Sequence, residues 1–148
     1  MEISVDFKEL LELLNEPNVD YVIVDGYALA YHGAPRFTGD LDILVNPSAE
    51  NARKVVRVLD DFGFESPGLT ADDFEAEDNV IQIGMPPVRI DILTALTGVS
   101  WNEVYEGCIK AELGGVPGQV IGRDQLIANK KALGRKRDLA DLEAIGVL

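Results

Sequence analysis

The sequence predicts an α/β (α+β) fold, a mixed central sheet with flanking helices, and three observations carry that prediction. Tyr21-Val22-Ile23-Val24 is wholly apolar and mostly β-branched, as expected of a short strand buried on both faces. Phe7, Leu10, Leu11 and Leu14 recur at helical spacing, as do Ala52, Val55, Val56 and Leu59 further on. Two apolar, β-branched segments at 80–83 and 88–93 flank Pro86-Pro87, a turn that excludes ladder bonding and marks a hairpin.

Taken in order, the first helix covers 6–16, with Pro17 just past its end. Gly26 follows the 21–24 strand at once, and Ala28 to Tyr31 form a short helix ended by Gly33. Pro35 and Gly39 mark the loop into a second strand at 41–45. Ser48 is placed as the N-cap of the next helix, which Gly63 stops. The acidic, small-residue stretch 65–79 reads as irregular. After the 80–93 hairpin come a helix at 101–106 and two strands, 109–113 and 119–121, around Gly114-Gly115. Gly134 divides the last two helices, 124–133 and 136–148. No repeat or linker interrupts the pattern, so residues 1–148 are expected to form one domain.

Composition narrows the function. No apolar run approaches the roughly 20 residues a membrane span needs. The start of the chain lacks a basic region ahead of an apolar one, and Cys108 is the single cysteine. Both fit a protein of the reducing cytoplasm. The formal net charge is −13, which disfavours nonspecific nucleic-acid binding through Lys and Arg. Five of the thirteen basic residues, Lys130, Lys131, Arg135, Lys136 and Arg137, fall within eight positions. Such a run is either a solvated helix face or a cationic wall across a cleft from an acidic site.

The acidic site itself is read from Asp40 and Asp42 at the head of the second strand. Strand residues i and i+2 share a face, so two like charges lie side by side unless a cation sits between them. Hard oxygen ligands of this kind suit Mg²⁺, which also recruits substrate phosphates. Asp91, flanked by Ile90 and Ile92, is either a strand-end ion-pair partner or a third carboxylate of the same centre. In the second case it completes a metal site or accepts the proton of an attacking hydroxyl. Gly26 permits close approach of a phosphate to backbone N–H groups. In the loop, Arg36 offers a guanidinium to phosphate and Thr38 a hydroxyl. His32, the only histidine, caps or packs a helix end unless it is catalytic.

Gly26-Tyr27-Ala28, His32-Gly33, Arg36-Phe37-Thr38 and Asp40-Leu41-Asp42 together resemble the signature of the DNA polymerase β-like nucleotidyltransferase superfamily. They most resemble its small bacterial branch of AbiEii-type toxins and minimal nucleotidyltransferases. The likeness extends through Arg89 to Leu93 and then through Asp124 to Asp141, covering about residues 20–145. It implies that Asp40, Asp42 and Asp91 are catalytic and hold Mg²⁺, with Mn²⁺ as a substitute. Gly26, Tyr27, Arg36, Thr38 and Lys130 would bind the nucleotide. Asp138 and Asp141 would steady the C-terminal helices, orient their basic side chains, or form ordinary helix-face ion pairs.

The activity so implied is transfer of a nucleoside monophosphate from an NTP to an acceptor hydroxyl on a small molecule, a tRNA or a protein. The acidic surface favours a cationic acceptor. Asp25 departs from the Gly-Gly or Gly-Ser of many relatives and adds repulsion beside a triphosphate unless a metal or Lys130 screens it. That departure motivates the alternative of a weak or inactive nucleotide- or metal-binding protein acting through a partner, as in a toxin–antitoxin pair. A partner protein and a homodimer are both compatible with the sequence.

Overall fold

Ser4 starts the first helix by accepting a hydrogen bond from the Phe7 N–H, and Phe7, Leu10, Leu11 and Leu14 form its buried face. In the computed structural model, which describes residues 3–34, 39–63, 68–85 and 87–147, this helix is α1 (Val5–Asn15). It is followed by β1 (Tyr21–Val24), α2 (Asp25–Tyr31), β2 (Asp40–Val45), α3 (Ala49–Asp61) and α4 (Ala71–Glu75). Then come β3 (Val80–Met85), β4 (Val88–Leu93), α5 (Trp101–Glu106), β5 (Ile109–Leu113), β6 (Val116–Val120), α6 (Arg123–Leu133) and α7 (Lys136–Ala144).

The six strands make one mixed sheet in the order β3-β4-β2-β1-β6-β5. β2 pairs with β4, and β1 with β6, in parallel; the other three pairings are antiparallel. β1, all four residues buried, lies inside the sheet as its continuous apolar pattern requires. The β1–β2 pair is tied to α3 by the buried Asn51. Its carboxamide accepts from the Asp20 N–H and donates to the carbonyls of Asp20 and Asn46. A buried amide so fully partnered gives the two strand ends and the helix start one fixed relation.

Three expectations are corrected. Residues 71–75, inside the stretch read as irregular, form α4: the Asp73 carboxylate accepts from the Thr70 N–H, and Phe74 is 0% exposed. Acidic residues hid a helix that needs one apolar anchor. The Thr94 hydroxyl secures its exit, donating to the Ala76 carbonyl at 2.7 Å and accepting from the Asn79 N–H at 2.8 Å. The final strand begins at Val116 rather than 119. Gly114 and Gly115, both at positive φ, make a two-residue hairpin turn with Leu113 opposite Val116. Pro117 concealed the strand's first half; it pairs only with β5, since β6 meets β1 at the Ile23–Val120 position. Helix α7 also stops at Ala144, and Gly146 follows at φ 84°.

Candidate active site

Parallel pairing of β2 with β4 sets Asp42 opposite Asp91 and Asp40 opposite Arg89. Period-2 alternation sends Leu41, Ile43 and Val45 to the other face of the sheet, where they are buried in the core. Asp42 and Asp91 are thus lateral neighbours on adjacent strands. The Asp42 carboxyl is pushed up to about 7, first by burial, then by the charges of Asp25 and Asp91, a hydrogen bond with Asp91, and the charge of Asp40. Each of those causes disfavours the charged carboxylate, so Asp42 holds its proton to higher pH than an ordinary aspartate.

Arg89 stands two residues before Asp91 on the same face. Its Nε donates to Asp91 Oδ1 at 3.2 Å and its Nη2 to Asp91 Oδ2 at 3.3 Å, a bidentate fork. The same Nε lies 3.8 Å from Asp40 Oδ2. The register therefore divides the expected carboxylate triad: Asp42 and Asp91 face one another, while Asp40 and Asp91 share a guanidinium.

The facing wall comes from α6 and α7. Leu126, Asn129 and Lys130 are the buried face of α6, at i, i+3 and i+4. Gly134, in the left-handed region at φ 62°, ends α6 and turns the chain into α7. That reversal brings Asp138 and Asp141, three apart on α7, onto Lys130. Lys130 is 1% exposed, and its ammonium lies 2.6 Å from Asp25 Oδ1, 3.1 Å from Asp141 Oδ2 and 3.4 Å from Asp138 Oδ1. The Asp141 contact has the distance of a hydrogen bond without its alignment, so it acts through charge. Asp138 also accepts from the Arg135 backbone N–H and guanidinium. Burial works to raise the Asp138 carboxyl, but Arg135 and then Lys130 overcome it and hold the carboxyl below its ordinary value.

Asp25, the first residue of α2, has φ 57°, a conformation Asp adopts more readily than most residues. Besides Lys130 it meets Arg137, whose Nη2 is 3.5 Å from Oδ2. The charge read from sequence as a source of repulsion is therefore compensated by two cations. Of the five clustered basic residues, Lys130 and Arg135 line the cleft and Arg137 pairs with Asp25. The wall is narrower than the sequence cluster.

Between the Asp42 face and α6 lies a cavity of about 250 Å³. Asp25, Asp42, Asp78, Lys130 and Arg135 supply its charge, and Val24, Val80, Leu93, Leu96 and Leu133 much of its apolar lining. Arg36 and Thr38 lie outside the described residues. Gly26 is buried at the start of α2, and the half-buried Tyr27 packs its ring edge to face on Phe7 at 5.8 Å. His32 donates from Nε2 to the Ile121 carbonyl at 2.7 Å, tying α2 to the chain just after β6. It packs, as a helix-end histidine usually does. Arg89 and Asp78 escaped the sequence reading. Alternation along β4 puts Arg89 on the face of Asp91, a signal that was available; nothing local marked Asp78.

Among the described residues no three His, Cys, Asp or Glu side chains form a ready-made metal cage. Mg²⁺ does not require one: it is commonly held by one or two carboxylates together with substrate phosphates. Asp42 and Asp91, hard oxygen donors in register with an elevated Asp42 carboxyl, fit that mode.

Neither a protein-family profile nor a curated protein matches the sequence. Solved structures do. A Thermotoga maritima protein provisionally assigned as a nucleotidyltransferase superposes with a TM-score of 0.66 at 17% identity, over 93% of this chain and 88% of its own. The antibiotic-resistance factor ANT(2″)-Ia gives a TM-score of 0.62 at 12% identity, over 95% of this chain and 80% of its own. The lincosamide antibiotic adenylyltransferase LnuA, solved with lincomycin bound, gives 0.57 at 12% identity over 99% of each chain. Among the described residues no helix is long and apolar enough to cross a membrane. The chain has a nucleotidyltransferase-like fold, a mixed six-stranded sheet with flanking helices.

Proposed function

We propose that this protein is a divalent-metal-dependent nucleotidyltransferase that moves a nucleoside monophosphate from an NTP to an acceptor hydroxyl. The observation that carries the reading is the lateral pairing of Asp42 with Asp91 beside a cavity faced by α6. Asp42 and Asp91 would hold Mg²⁺ or Mn²⁺, with Asp40 joining when its contact with Arg89 loosens. Bound there, the metal would neutralise charge on the phosphates and the leaving pyrophosphate. The acceptor oxygen forms a bond to the α-phosphorus, and the bond from that phosphorus to the α,β-bridging oxygen breaks. Asp91 is the carboxylate we assign, as the alternative to holding metal, to accepting the hydroxyl proton. The backbone at Gly26 and Tyr27, with Arg36 and Thr38, is assigned to the triphosphate. Lys130, through its ion pairs, is assigned to holding Asp25 and the start of α2 against that turn.

The acceptor we favour is a small hydroxyl compound, and the net charge of −13 favours one bearing an amine. In the cavity Asp25 is already paired with Lys130 and Asp42 is assigned to the metal, so Asp78 is the carboxylate left to meet an amine, beside the apolar Val80, Leu93 and Leu133. Two structural neighbours, one an antibiotic-resistance factor and one an antibiotic adenylyltransferase, support a small-molecule acceptor. The test is incubation with α-labelled NTPs, Mg²⁺ or Mn²⁺, and a panel of amino sugars, tRNAs and proteins. Metal-dependent transfer that Asp42→Asn and Asp91→Asn abolish is expected. Transfer that persists in Asp42→Asn refutes the assignment.

A further inference from the structure

We infer that Arg89 is a built-in counter-cation of the carboxylate centre, and that its exchange for metal couples metal binding to triphosphate binding. The inference rests on the reading of Asp42 and Asp91 as metal-holding residues and concerns how that centre selects what enters it. A guanidinium on this face has no need to engage Asp91 for strand pairing, since β4 is flanked by β2 and β3 on both sides. Its fork nevertheless closes on both Asp91 oxygens while its Nε lies 3.8 Å from Asp40. Those are oxygens a metal would use. Position 89 is opposite Asp40 and two residues from Asp91, so the backbone keeps the guanidinium within reach of both.

Two consequences follow from charge. A lone divalent ion must displace a cation that is covalently tethered and chelated, so it binds weakly. A metal–triphosphate complex brings anionic oxygens that receive the displaced guanidinium, for which phosphate is as good a bidentate partner as carboxylate. Metal and nucleotide then favour each other's binding, and by linkage the effect is reciprocal. Arg89 is a positioning residue in this scheme: it sets what the carboxylates accept, and it reaches the nucleotide only after exchange.

The experiment titrates Mn²⁺ by electron paramagnetic resonance, alone and with α,β-methylene-ATP, into the wild type, Arg89→Gln and Arg89→Lys. Circular dichroism spectra establish that each variant is folded. Mn²⁺ alone is expected to bind Arg89→Gln at least about tenfold more tightly than the wild type, because a like charge within a few ångströms of the ion has been removed. The nucleotide should strengthen Mn²⁺ binding less in Arg89→Gln than in the wild type by a similar factor. Arg89→Lys, which keeps the charge, should stay nearer the wild type. Unchanged or weaker Mn²⁺ binding in Arg89→Gln, with the wild type still binding, overturns the inference and leaves the proposed activity standing. Equal strengthening by nucleotide in both proteins overturns the coupling. Absence of Mn²⁺ binding in every protein, with or without nucleotide, overturns the metal centre and this inference together.

Discussion

Replacing Lys130 with Met should be among the most destabilising changes available on α6. Methionine keeps nearly the length and volume of the lysine stem, so packing loss is small and the change falls on charge. The ammonium is 1% exposed and lies within 3.4 Å of oxygens from Asp25, Asp138 and Asp141. After its removal Asp25 keeps Arg137 and Asp138 keeps Arg135, while the nearly buried Asp141 loses the cation beside it. Deleting one partner of a buried ion pair costs about 3–5 kcal/mol. For a chain of this size that lowers the melting temperature by roughly 6–20 °C. Urea unfolding followed by circular dichroism at pH 7 measures it directly, with an unchanged m-value showing that the same structure unfolds. Lys130→Met with Asp141→Asn should recover part of the loss, a coupling that a double-mutant cycle isolates. A loss below about 1 kcal/mol, or no recovery in the double variant, would mean that the four groups do not share charge as described.

Three further outcomes are expected. Asp42 has a carboxyl raised to about 7 from its ordinary 3.8, so the folded protein binds its proton more tightly than the unfolded chain does. Its contribution favours the fold below pH 3.8 and is progressively lost as pH rises from there to about 7. Metal-free protein should therefore lose stability across that window, and Asp42→Asn should flatten the dependence in differential scanning calorimetry. Mn²⁺ affinity should rise over the same range as the proton is released, with no such rise in Asp42→Asn. Phe74→Ala should cost about 3–5 kcal/mol in urea unfolding, as for other buried aromatic side chains, whereas an irregular surface segment would lose almost nothing.

Local pattern carried much of the fold. Tyr21–Val24 and Val88–Leu93 lie where their apolar, β-branched runs put them, and Ser48 caps α3 as its place before a polar-faced helix required. These features depend on near neighbours along the chain, which is the range over which hydrophobic period and capping chemistry act. Helix α4 escaped because a single anchor, Phe74, makes no period. The first half of β6 escaped because Pro117 and Gly118 are poor strand formers that a one-sided pairing nonetheless tolerates.

For the site, the sequence supplied the chemical kinds of group and the fold supplied their partners. Asp40, Asp42 and Asp91 were visible as carboxylates in strands, yet nothing along the chain could say that Asp42 would face Asp91 and Asp40 would face Arg89. That is a consequence of strand register, set by how two distant apolar runs pack, and a slip of one residue would turn Arg89 and Asp91 to the opposite face of the sheet. Asp25 and Lys130 are 105 positions apart. Read in isolation, Asp25 was an unwelcome charge beside a phosphate turn. Folding α6 and α7 against the sheet makes it half of an ion pair, because a buried ammonium must find carboxylates wherever the chain brings them.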